Sequence, residues 1–245
     1  MAQFKTDVDM LTTADSGARP LDGLIWCMIH TTENTDKTQP ESVANWQLDR
    51  ANGSSYNLLF GVDGRTVRSN HDNFSPWSAG MPGNRLAIHG SAIGYASRTR
   101  AQWLAHDEQL NSIAAWLAHN EREYGIPLVE LTVQEVAARK KGVTTHAVYW
   151  QAIAKQQGMD FRSDPGAGFP MDIVLKKAKA INAPVKEVVA VQDNSEVIRL
   201  LNLILDQLAG HPGEQFAGWE QLNGNTLVNA VAEIGAKIGL EGYGK

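Results

Sequence analysis

Leu24-Ile25-Trp26-Cys27-Met28-Ile29-His30 is the stretch on which the reading of this chain turns. A short, unbroken apolar run with polar flanks predicts a fully buried strand, because a strand with one wet face would alternate apolar and polar residues. His30 closes that run, and the ends of buried strands are where active-site residues of α/β folds emerge.

Outward from this strand, Pro40 precedes a short helix expected over residues 41–50, with Val43, Ala44, Trp46 and Leu48. Tyr56-Asn57-Leu58-Leu59-Phe60 reads as a strand. Asp63-Gly64 then predicts a hairpin into Arg65-Thr66-Val67-Arg68, since both turn residues tolerate positive φ. Another short strand is expected over residues 86–89. The clearest helical pattern covers residues 100–121. Thr99 and Gln102 form a capping box, and Trp103, Leu110, Ile113 and Leu117 recur on one face. Further helices are expected over residues 133–139 and 147–156, and from Pro170 to about residue 180. Strands followed by alternating helices give an α/β class with a mixed central sheet flanked by helices.

Ala183-Pro184 marks an expected boundary. Beyond Asp193, Val197, Leu200, Leu201, Ile204 and Leu208 share one helical face, stopped by Gly210 with Pro212 behind it. Residues 211–225, with Phe216 and Trp219, read as a loop, and a second helix carries Leu227, Val231, Ile234 and Ile238. The expected organisation is an N-terminal extension over residues 1–20, a main domain over 21–183 and a small helical module over 190–245. Such a module is too small to hold much core alone, so it docks on the main domain or self-associates.

Bulk composition narrows the class. Hydrophobic residues at 43% and charged residues at 20% are ordinary for a globular chain of 245 residues. A net charge of -5 argues against nucleic acid as a partner. The basic clusters that stand out, Arg139-Lys140-Lys141 and Lys176-Lys177, read as solvated helix ends. One cysteine, Cys27, excludes a disulfide within the chain and reads as a small buried hydrophobe. Residues 1–20 are polar and hold no signal-peptide core, and no stretch is long enough to span a bilayer. Synthesis in the cytoplasm without integral membrane contact is the expectation, with another agent required for release to any target outside.

Chemistry can be carried by His30, His146 in Gly142-Val143-Thr144-Thr145-His146, and Asp164 in Arg162-Ser163-Asp164-Pro165-Gly166. Two neutral imidazoles and one carboxylate form a zinc-type ligand set that leaves a fourth position open. An open position on zinc holds a water acidified enough to attack near neutral pH, which makes the chain a candidate hydrolase. Spacing alone does not prove this set, since seven histidines are present and a lone histidine is more often a surface or hydrogen-bonded residue. His106, His119 and His211 take that plainer reading.

The motifs together resemble the zinc amidases of the peptidoglycan-recognition-protein and phage-lysin superfamily. Ile25 to Glu33 looks like the first metal motif, and Ser55 to Gly64 like the strand-and-hairpin segment. Trp77-Ser78-Ala79-Gly80 is similar to the family's Trp-His-Ala-Gly element. Thr145-His146 and Arg162 to Gly166 are similar to the second and third metal motifs. Their order and separations agree over roughly residues 20–180. The resemblance implies an N-acetylmuramoyl-L-alanine amidase acting on bacterial peptidoglycan, with one zinc ion held by His30, His146 and Asp164. It implies that the Tyr56 hydroxyl orients water or donates to the oxyanion; the plainer reading is a packed strand tyrosine. It places Arg162 where the family usually has lysine. An arginine can stabilise an oxyanion but is a poor proton donor. Where many members carry a glutamate base this chain has His89, whose ring could substitute as a base or face elsewhere. Ser78 replaces the histidine of the Trp-His-Ala-Gly element, removing one substrate contact.

Residues 218–230 resemble the tail module of lysins from phages of actinobacteria, which implies cell-wall attachment. Phe216 and Trp219 could stack on sugars or pack between helices. The leading expectation is therefore a phage endolysin, held in the host cytoplasm until lysis and then acting at the host wall. The competing expectations are a peptidoglycan-binding protein that does not cut, and a structural or oligomerising phage protein.

Overall fold

The computed structural model describes residues 2–183, 199–201 and 227–237. The chain divides into two compact units, residues 1–184 and 185–245.

The first unit is built on a six-stranded sheet in the order β1-β5-β4-β7-β3-β8. These strands are β1 (Val8–Asp9), β3 (Trp26–Thr31), β4 (Leu58–Phe60), β5 (Thr66–Arg68), β7 (Ala87–Ala92) and β8 (Gly142–Thr145). All neighbouring pairs are parallel except β4 with β5, the hairpin signalled by Asp63-Gly64. Gly64 takes φ +86°, the left-handed conformation that such a turn asks of one of its residues. A separate two-stranded antiparallel pair joins β2 (Asp15–Ala18) to β6 (Phe74–Pro76).

The first twenty residues are thus not a free extension. They supply the edge strand β1, the strand β2, and the buried Arg19. The Arg19 guanidinium donates to the carbonyls of Asp72, Asn84 and Ala87 and to Asn57 Oδ1. Polar composition hid this role, since a buried arginine satisfied by carbonyls leaves no apolar pattern to read.

β3 lies between β7 and β8 and is buried at every residue. Its side chains alternate between the two faces of the sheet. Cys27 and Ile29 join a core with α4 (Asp107–Tyr124) and α7 (Met171–Asn182), including Leu110, Ile113, Trp116, Leu117 and Val174. Trp26 and Met28 join the opposite core, with Val136 of α5 (Val133–Ala137) and Tyr149 of α6 (His146–Ala152). A third, smaller core sets Leu59 and Val67 against Ala44 of α1 (Pro40–Gln47).

The helix expected over 100–121 is two helices, α3 (Arg100–Leu104) and α4. The capping box at Thr99 and Gln102 opens α3. His106, at φ -107° and ψ 59°, breaks the run, with its Nε2 held 3.0 Å from Asp36. Asp107 and Glu108 then begin α4, where acidic groups complement the helix dipole. The expected helix over 147–156 likewise ends at Ala152, and a 3₁₀ turn follows over Ala154–Gln157. The short helix α2 (Gly83–Leu86) was not foreseen; it leads directly into β7.

In the second unit the described helix is α8 (Leu227–Lys237), and residues 199–201 are helical. Leu227, Val231 and Ile234, expected to share one helical face, are exposed. Phe216, Trp219 and Ile238 lie outside the described residues. Among the described residues, no helix is long and apolar enough to cross a membrane.

Candidate active site

The register of three parallel strands brings the expected ligands together. Ile29 pairs with Thr145, so His30 and His146 emerge side by side at the carboxyl ends of β3 and β8. Alternation along β3 puts His30 on the Trp26 and Met28 face, which α6 covers and where His146 is the first helical residue. The Thr145 side chain caps α6 by accepting from Val148 N–H, which fixes the turn carrying His146.

Asp164 arrives on a loop rather than a strand. Its carbonyl accepts from Ala147 N–H at 2.9 Å, tying it to the start of α6. Gly166, at φ +88°, lets the loop pass over residue 96; a Cβ there would sit 1.8 Å from the Ala96 carbonyl oxygen. This accounts for a glycine two places after the aspartate.

One ligand atom from each of His30, His146 and Asp164 lies within 4.8 Å of the others. Asp164 Oδ2 is 3.1 Å from His30 Nδ1, and Asp164 Oδ1 is 3.1 Å from His146 Nδ1. Zinc bonds of about 2.0–2.1 Å in a tetrahedron put ligand atoms about 3.3 Å apart, and both histidine–aspartate separations are close to that. The electrostatics suit it too. Burial pushes His30 down to about 4, so its ring is neutral and a lone pair is free near neutral pH. Burial alone would raise Asp164, but hydrogen bonding to His146 and His30 outweighs this and holds its carboxyl well below the usual carboxylate range.

His146 and Asp164 line a cleft of about 650 Å³, and His30 is fully buried beside them. Tyr56 and Arg162 both line that cleft. The Tyr56 ring stands 5.1 Å from the His30 ring, centroid to centroid. Burial, with the Asp164 charge adding to it, pushes the Tyr56 hydroxyl up to about 12, so it remains a hydrogen-bond donor at neutral pH. Arg162 is exposed at the rim, where its guanidinium donates to the Phe161 carbonyl at 3.0 Å. Ser78 also lines the cleft, but its hydroxyl is engaged with the Ser55 carbonyl at 2.6 Å. The structure does not bring His89 to the cleft wall. His89 is fully buried behind His30, so the expected role as a base in contact with substrate does not fit its position.

Two features of the cleft escaped the sequence reading. Glu33, at φ 54°, lines the cleft, and its carboxylate accepts from Thr31 Oγ1 at 2.6 Å and Ala96 N–H at 2.9 Å. Trp77, Trp150 and Phe161 add aromatic surface to its walls, with Phe161 67% exposed. An exposed aromatic in a polar stretch such as Met159-Asp160-Phe161-Arg162 is the signal that could have marked this wall.

The family profile described as N-acetylmuramoyl-L-alanine amidase matches residues 24–167. The chain belongs to that family. Among solved structures, the Staphylococcus aureus hydrolase AmiA in complex with its ligand superposes with a TM-score of 0.55 at 16% identity, over 74% of this chain and 87% of that one. The endolysin N-acetylmuramoyl-L-alanine amidase LysCS from Clostridium intestinale has a TM-score of 0.49 at 15% identity, over 73% of this chain and 97% of that one. No curated protein sequence matches the chain. At such identities the AmiA likeness establishes the fold: a mixed, mostly parallel α/β sheet flanked by helices.

Proposed function

We propose that the protein is a zinc-dependent endolysin that hydrolyses the amide between N-acetylmuramic acid and the L-alanine of bacterial peptidoglycan. The observation that carries this reading is the convergence of His30, His146 and Asp164, the last two of which line an open cleft. Zinc held by these residues would supply the Lewis acidity to acidify a water and polarise a carbonyl. The chain's own groups do the rest. His30 and His146 offer nitrogen lone pairs, and Asp164 keeps its negative charge. The Tyr56 hydroxyl donates a hydrogen bond to the oxygen on which charge develops. Arg162 adds positive charge at the rim without giving up a proton. Trp77, Trp150 and Phe161 offer apolar faces for the sugar or the stem peptide.

The second unit serves wall attachment or self-association in this reading, supported by the exposed Leu227, Val231 and Ile234 of α8. The protein accumulates in the host cytoplasm and acts on the wall after release across the membrane. The test uses purified walls, with the full chain and a chain ended after residue 183. Soluble stem peptide should be released, lost with chelator and restored by zinc, and the shorter chain should sediment less with walls. Wall binding without release, with or without zinc, favours a non-catalytic binder instead.

A further inference from the structure

Three polar contacts run in line from the metal site into the core. Asp164 Oδ2 lies 3.1 Å from His30 Nδ1. His30 Nε2 lies 3.0 Å from His89 Nδ1. His89 Nε2 lies 3.2 Å from the Gly83 carbonyl oxygen. The line follows from the register: Met28 pairs with His89 and His30 with Ser91, so His89 sits one pleat behind His30 on the same side of the sheet.

Both ends of the line, an ionised carboxylate and a carbonyl, can only accept. Each neutral imidazole carries one N–H, so two hydrogens serve three contacts. A cation held by Asp164 and His30 would resolve the count. The inner end then sets the order. Gly83 requires a hydrogen on His89 Nε2, which leaves a lone pair on His89 Nδ1. That lone pair takes the hydrogen of His30 Nε2, and the His30 Nδ1 lone pair is left facing Asp164.

We infer that His89 is a positioning residue: it passes the polarity of the Gly83 carbonyl to His30 and fixes the tautomer whose Nδ1 faces the metal. The anchor is itself held. Gly83 N–H donates to Tyr149 Oη at 2.9 Å, from the helix that begins with His146. A Cβ on Gly83 would lie 2.7 Å from the Tyr149 ring. Asn57 Oδ1 accepts from His89 N–H at 2.9 Å and from Arg19 at 3.2 Å. Arg19 also donates to the carbonyls of Asn84 and Ala87, on either side of the turn into β7. Arg19 lies upstream of the matched family region, residues 24–167. Ligand histidines are commonly oriented by an acceptor on the far ring nitrogen; here that acceptor is a second, neutral histidine.

This inference rests on the site being a zinc site, and its test is binding and spectroscopy rather than turnover. Zinc affinity is measured by chelator competition for the wild type, His89→Leu and His89→Asn. His89→Leu removes the acceptor and should weaken zinc binding about 10–100-fold. His89→Asn places an amide oxygen near the Nδ1 position and should recover most of that loss. Long-range ¹H–¹⁵N spectra of the zinc-loaded wild type should show the His89 hydrogen on Nε2 and a bare Nδ1. A His89 hydrogen on Nδ1 overturns the inference, as does wild-type affinity in His89→Leu or no recovery in His89→Asn. Should His89→Leu not fold, the spectra and the asparagine variant still decide. A wild type that binds zinc with this tautomer but releases no stem peptide overturns the amidase reading alone.

Discussion

One sheet presents two unlike faces. On the α4 and α7 side, Cys27 and Ile29 meet Leu110, Ile113, Trp116 and Leu117, all essentially without exposed surface. On the α5 and α6 side, Trp26 and Met28 are packed as tightly, but the next residue in step is His30. There the apolar layer stops and buried polar groups take over: His30, His89, His146 and Asp164. The same strand therefore builds a dry core with one set of side chains and the candidate metal site with the other. What differs is not the strand but what covers its end. A helix start and a loop bring ligands to one face, while long helices seal the other.

This contrast can be broken from either side. Asp164→Ala should have the largest effect. It removes the ligand that faces both histidines, so zinc affinity should fall beyond the roughly 10–100-fold typical of outer-shell losses, and activity should fall to background. Metal analysis beside a wall-release assay checks both, and retained zinc would dissolve the three-ligand centre. Tyr56→Phe should keep zinc and lower turnover by about 10²–10³-fold, the cost of one lost donor to an oxyanion. Unchanged turnover would remove Tyr56 from the chemistry. Leu117→Ala on the sealed face should leave the zinc affinity of the folded chain untouched while costing about 2–5 kcal/mol in urea unfolding. A change in zinc affinity there would mean that the two faces are coupled more closely than the packing indicates.

Much of the fold is legible because burial leaves a pattern. Trp26-Cys27-Met28-Ile29 could hardly be anything but a buried strand, and Asp63-Gly64 makes its hairpin as its turn chemistry requires. The helix over 100–121 misled because periodicity ignores a single residue that steps out of line. Trp103 and Leu110 keep the same face on both sides of the break at His106. The first twenty residues misled for the opposite reason. A buried arginine and two short strands hold the domain through carbonyl oxygens, which the sequence does not display.

The candidate site divides in the same way. His30, His146, Asp164, Tyr56 and Arg162 could be named from local motifs, because a ligand or donor must be of a particular chemical type. His89 could be named but not placed. Its residue type allows a base, and only the pairing of Met28 with His89 shows it behind His30 rather than at the cleft. Glu33 and Phe161 reach the cleft through a positive φ and a loop that no periodicity encodes.

By itself, then, the order of residues determined which groups are available and which segments must be buried, since both depend on side-chain chemistry and its spacing along the chain. Only the tertiary structure decided which nitrogen meets which oxygen. Strand register, helix starts and loop closures set those meetings across more than a hundred residues of separation, 134 between His30 and Asp164, and a shift of one residue in a register turns a side chain to the other face.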